Sequence, residues 1–125
     1  MSLMDMSPQD ILVIDDEELL RGTLNRLLTH LGHTVTEARD GIEALNIYDG
    51  ATRSPLVILD INMPGLTPEE IVAGIIERNP GARIILTSGE YDASRIEQLC
   101  ARGAEQFLAK PFSLEELTRA LKPCT

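Results

Sequence analysis

The chain has 125 residues, 43% of them hydrophobic and 25% charged, with a formal net charge of −9. That length supports one domain with a sizeable core and is too short for two. The acidic balance argues against a nucleic-acid surface, which takes clustered Lys and Arg, and Cys100 and Cys124 offer neither a disulfide framework nor metal-ligand spacing, which fits a reduced, cytoplasmic setting. No apolar run approaches a membrane span and no secretory signal is visible. Residues 1–9 read as a disordered or expression-derived tail and 123–125 as a second tail, leaving 10–122 as the domain. Ile11-Leu12-Val13-Ile14 reads as a first strand ending in the acids Asp15-Asp16-Glu17. From Glu18 to Leu31 the period turns helical, with Leu20, Leu24, Leu27, Leu28 and Leu31 on one stripe and Gly32 closing it. His30 and His33 flank that helix end, where an imidazole suits the dipole. His33 to Ala38 is polar apart from Val35, as befits a short edge strand.

Asp40-Gly41-Ile42-Glu43 is a capping box opening a second helix that Gly50 ends. Leu56-Val57-Ile58-Leu59 is apolar throughout, the mark of a strand buried on both faces, and it delivers Asp60 at its tip. Met63-Pro64-Gly65 then turns the chain away from the sheet. Thr67-Pro68-Glu69-Glu70 supplies cap, first-turn proline and reciprocal acid to a third helix, buried through Ile71, Val72, Ile75 and Ile76, and Asn79-Pro80-Gly81 stops it. Arg83 to Thr87 is a fourth strand, followed by Ser88-Gly89. A fourth helix runs from Asp92 to Arg102, with Cys100 on its inner side, and Ala104 to Ala109 is a fifth strand, followed by Lys110-Pro111. Ser113-Leu114-Glu115-Glu116 caps a final helix that turns Leu114, Leu117 and Leu121 inward. Tyr48 and Phe112 read as packing residues, and Cys124 as part of the exposed tail. Strands alternating with helices predict an α/β fold, a flavodoxin-like (βα)5 sandwich. Its parallel sheet takes the order 2-1-3-4-5, with the polar second strand at an edge and helices on both faces.

In such a sheet, ligands sit beyond the carboxyl ends of the strands. Asp15 and Asp16, Asp60, Ser88 and Lys110 all fall there. Each alone has a plainer reading: an acidic pair caps helices, a serine forms turns, a lysine is solvated. Together they point to chemistry. A nucleotide site needs a glycine-rich loop after the first strand, and this chain has acids there. Three neighbouring carboxylates are stable only if they share protons or hold a cation. A hard divalent ion such as Mg2+, with few carboxylate ligands and several waters, suits them, and it admits phosphate oxygens to an otherwise repelling pocket.

From about Asp10 to Leu121 these residues resemble the receiver domain of two-component response regulators. The resemblance rests on Asp15-Asp16, Asp60 with Met63-Pro64-Gly65, Ser88-Gly89 and Lys110-Pro111-Phe112, in this order. It implies that Asp60 accepts a phosphoryl group from a histidine kinase, a histidine phosphotransfer protein or a small acyl phosphate. It implies Mg2+, or Mn2+ in its place, held by Asp15, Asp16, Asp60 and the main-chain carbonyl of Asn62. Lys110 is then the partner of the phosphoryl oxygens and Ser88 a hydrogen-bond donor to one of them. Phe107 matches the switch aromatic, and Asn62 and Glu90 occupy the positions that modulate dephosphorylation. Ser88 stands where Thr is commoner, and Phe107 where Tyr is frequent. By analogy the Lys110–Pro111 bond is cis, and helix 4, strand 5 and helix 5 form the surface that meets a downstream protein, an output domain or a second copy. A rival reading is an aspartyl-phosphate phosphohydrolase, which ordinarily carries its nucleophile after the first strand, has a second acid two residues on and adds a cap domain. A third is a receiver-like module that binds without being phosphorylated.

Overall fold

The computed structural model describes residues 7–51 and 54–122, so the expectations for residues 1–6, for Cys124 and for the tail 123–125 lie outside the described residues. Strands β1 (Asp10–Ile14), β2 (Thr34–Ala38), β3 (Leu56–Asp60), β4 (Ile84–Ser88) and β5 (Gln106–Ala109) alternate with helices α1 (Glu18–His30), α2 (Gly41–Gly50), α3 (Pro68–Arg78), α4 (Ala93–Ala101) and α5 (Leu114–Leu121). All four strand pairings are parallel and the order is β2-β1-β3-β4-β5, a flavodoxin-like sheet. The polar β2 lies at the edge, where Ala38 is its one buried residue.

Period-two alternation divides the sheet's side chains between two cores. Ile11, Val13, Ile58 and Ile85 pack on Leu24 and Leu28 of α1 and on Leu117 and Leu121 of α5. Leu12, Ile14, Val57, Leu59, Ile84 and Leu86 pack on Tyr48 of α2, on Ile71, Val72 and Ile75 of α3 and on Leu99 of α4. Each fully buried Ile or Leu contributes about 1.5–3 kcal/mol of apolar transfer. The central strands β3 and β4 are buried at all ten positions, so they anchor the rest.

The helix ends hold several differences from the sequence reading. Thr67/Glu70 and Ser113/Glu116 form full capping boxes. At α2 the box is only half made: Asp40 accepts the Glu43 N–H, while the Glu43 carboxylate accepts from Arg39 N–H, one residue too early. Leu114 is 38% exposed rather than inward, because the first turn of α5 precedes the stretch that packs on the sheet. His33 is buried, its Nδ1 accepts the Gln9 N–H at 3.1 Å, and burial pushes its pKa down. It therefore serves as a neutral acceptor and not as a cation for the α1 dipole.

At the amino edge of the sheet Arg83 gathers the end of α5. Its guanidinium forms a two-pronged pair with Glu105 (2.9 and 2.7 Å) and donates to the carbonyls of Ala120, Leu121 and Lys122. Gln106 adds a bond to Ala120 O and Gln9 one to Leu121 O. These are carbonyls that a helix end otherwise leaves without partners.

Candidate functional site

Main-chain bonds continue the ladder past each strand and so aim the tips: Asp15 N–H to Ala38 O, Ile61 N–H to Thr87 O, Lys110 N–H to Ser88 O. Asp15 and Asp16 do not cap α1, whose N-cap is Glu17 with no side-chain cap bond. Instead Asp15 Oδ1 accepts the Glu17 N–H at 2.9 Å, which holds the loop and leaves its other oxygen to the pocket. Arg21 braces the same loop from α1, donating to the Asp15 main-chain carbonyl at 2.7 Å and pairing with Glu37 of β2 at 2.8 Å. A lone arginine on a helix carries no sequence signal for this. Met63-Pro64-Gly65 turns the chain after Asp60, with Gly65 at φ 93°, a value that favours glycine.

Oxygens of Asp15, Asp16 and Asp60 lie within 4.8 Å of one another. Asp15 and Asp60 are 2% and 3% exposed, whereas Asp16 opens to solvent. Lys110 reaches in from the end of β5, 3.1 Å from Asp15 Oδ2 and 3.5 Å from Asp60 Oδ2. Asp60 Oδ1 accepts the Asn62 N–H at 3.0 Å. Burial is the largest influence on the Asp60 carboxyl and raises its pKa; Asp15 adds to that, and the Asn62 N–H and Lys110 oppose it without cancelling it. Three carboxylates facing one ammonium leave the pocket short of positive charge. A hard divalent cation on oxygen ligands fits both this donor set and the open Asp16 side.

Ser88, 1% exposed, stands beside the acids at the tip of β4. Its Oγ accepts from Asn62 Nδ2 at 2.5 Å and from the Glu90 N–H at 2.9 Å. Phe107 is half-buried and meets Tyr91 edge-on, with ring centroids 6.0 Å apart at 62°. The Lys110–Pro111 peptide is cis, as the resemblance implies. The structure thus brings Asp15, Asp16, Asp60, Asn62, Ser88 and Lys110 together. The exposed Glu90 joins this group through its N–H to Ser88, whereas Phe107 lies within β5 opposite Leu86 and packs against the core. The bond from the Asn62 side chain to Ser88, the Arg21 brace and the contact of the Tyr91 ring with Phe107 were not anticipated from sequence, because each depends on a partner in a different part of the chain.

An acidic, lysine-bridged pocket at the carboxyl edge of a five-stranded parallel sheet defines the receiver class of signalling domain. The family described as response regulator receiver domain matches residues 11–122, and the chain belongs to it. It is 36% identical over 116 residues to the response regulator MprA of Mycobacterium sp. (strain KMS), covering 92% of this chain and 50% of that protein. The chain therefore spans about half the length of the curated relatives it matches. Among solved structures, the Vibrio cholerae chemotaxis protein CheY4 superposes with a TM-score of 0.85 at 29% identity, over 92% of this chain and 97% of that one. A response regulator from Burkholderia pseudomallei, solved with a phosphorylated aspartic acid, a calcium ion and citrate, gives 0.83 at 30% identity, over 91% of this chain and 66% of that one. The chain is thus a receiver domain of two-component signalling. Among the described residues no helix is long and apolar enough to cross a membrane.

Proposed function

We propose that this receiver takes a phosphoryl group on Asp60 from the phosphohistidine of a sensor kinase or phosphotransfer protein. The observation that carries the reading is the cluster of Asp15, Asp16 and Asp60 oxygens within 4.8 Å, with Lys110 between Asp15 and Asp60. An Asp60 oxygen forms the new O–P bond as the P–N bond of the donor breaks, and the electron pair leaves with the imidazole nitrogen. Phosphoryl transfer asks chiefly for positioning and charge neutralisation. Lys110 offsets charge on the incoming oxygens, and the Asn62 N–H orients the carboxylate. Asp15, Asp16, Asp60 and the Asn62 carbonyl are the groups that would hold Mg2+, which when bound supplies the remaining positive charge. Ser88 then donates to a phosphoryl oxygen, and Phe107 turns inward as it does so.

An apolar groove of about 350 Å3, lined by Leu20, Leu24, Leu27, Pro111 and Phe112, runs up to Lys110. It supports docking of a donor helix beside the pocket. The signal leaves through α4, β5 and α5, towards an output domain, a downstream protein or a second copy of the chain, in the cytoplasm. The phosphohydrolase rival fares worse, since the candidate nucleophile ends β3 and does not follow β1. Incubating the chain with acetyl phosphate and Mg2+ should add one phosphoryl group by intact mass, and Asp60→Asn should abolish it. Undiminished labelling of Asp60→Asn would sink the assignment.

A further inference from the structure

We infer that the Asn62 side chain is a latch that holds the Ser88 hydroxyl in its resting position, so that Asn62 sets how readily the domain switches. The inference rests on the proposed phosphorylation of Asp60 and adds a positioning residue to it. A serine oxygen offers two acceptor sites and one donor hydrogen. Both acceptor sites of Ser88 Oγ are occupied, by Asn62 Nδ2 at 2.5 Å and by the Glu90 N–H at 2.9 Å. The bond to Asn62 spans 26 residues of sequence and links the loop after β3 to the tip of β4.

The two donors differ in what they can follow. Glu90 lies two residues beyond Ser88 on the same loop, so its N–H can travel with the hydroxyl. Asn62 is tied elsewhere: its own N–H is committed to Asp60 Oδ1 at 3.0 Å, and the adjacent Ile61 N–H to Thr87 O at 3.0 Å. When Ser88 moves to serve a phosphoryl oxygen on Asp60, it carries Glu90 along and leaves the Asn62 amide behind. The broken bond counts against the switched state alone. A single amide–hydroxyl bond of this kind shifts a two-state balance by about three- to ten-fold.

Alanine at position 62 tests this cleanly, because it keeps the main-chain N–H that Asp60 accepts and the main-chain carbonyl proposed as a metal ligand. Asn62 is exposed, so the substitution leaves the core intact. The measurement is beryllofluoride affinity at saturating Mg2+, followed by two-dimensional NMR of the full chain, for wild type, Asn62→Ala, Ser88→Ala and the double variant. Asn62→Ala should bind beryllofluoride about three- to ten-fold more tightly than wild type. Its ligand-free Ser88 and Glu90 amide signals should move part of the way to their bound positions. In the Ser88→Ala background, which lacks the hydroxyl, adding Asn62→Ala should leave affinity unchanged, the result a double-mutant cycle gives for a residue acting through its neighbour. An equal effect in both backgrounds, or weaker binding by Asn62→Ala alone, overturns the latch. A wild-type chain that binds no beryllofluoride overturns the phosphorylation reading itself, and the latch with it.

Discussion

Asp60 combines two demands that pull against each other. In the proposed transfer it acts as an ionised nucleophile, yet it sits almost out of contact with water. Desolvation outweighs the attraction of Lys110 and the Asn62 N–H, so its pKa lies above the ordinary aspartate value. A carboxyl whose pKa is raised on folding holds its proton more tightly in the native state. Its ionisation therefore costs stability as pH rises from the unfolded value, about 3.9, through the raised one, and that cost is absent at lower pH. Asp60→Asn removes the buried charge. In metal-free buffer at pH 7 it should raise the Tm above that of the wild-type chain. The advantage should shrink as the pH approaches 4, and thermal melts across that range check it. An Asp60→Asn chain that melts lower than wild type at pH 7 would mean that the ion pair with Lys110 outweighs desolvation.

The elements were legible wherever the signal was local. Capping residues and apolar periodicity fixed α3 and α5, and the continuous apolar run of β3 marked a strand covered on both sides. Reading failed where the answer lay in tertiary surroundings. Leu114 lies ahead of the packed stretch and His33 is buried as a neutral acceptor; Glu43 is a local miss, its carboxylate taking the Arg39 N–H rather than that of its own cap. Two substitutions probe local determinants. Ser113→Ala should cost about 1 kcal/mol in chemical denaturation through loss of the α5 cap. Gly103→Ala should cost more, about 1–3 kcal/mol, because φ is 126° there and an added Cβ would meet Ile76 at 2.8 Å.

For the molecule as a whole, an excess of acid converges on one end of the sheet. The positions of Asp15, Asp16, Asp60, Ser88 and Lys110 could be read in advance because strand tips in a parallel α/β sheet share one edge. Side-chain partners such as Asn62 with Ser88 could not, since nothing in either segment names the other. Mg2+ should raise the Tm of the wild-type chain in a concentration-dependent way, by the equivalent of about 2.7 kcal/mol at a hundred times its Kd. Asp16→Asn should lose most of that gain while keeping its metal-free Tm, because Asp16 is exposed and ordinary surface changes stay within about 0.5 kcal/mol. The ring of Tyr91 resting on Phe107 has a practical corollary. The chain has no tryptophan and two tyrosines; Tyr48 is sealed in the core, while Tyr91 is 76% exposed and packs edge-on against Phe107, the proposed switch residue. Aromatic ring currents act over such distances, so the protein carries its own spectroscopic gauge. If Phe107 turns inward as proposed when beryllofluoride binds, the Tyr91 ring-proton resonances should shift while those of Tyr48 stay put, giving a label-free record of switching in solution.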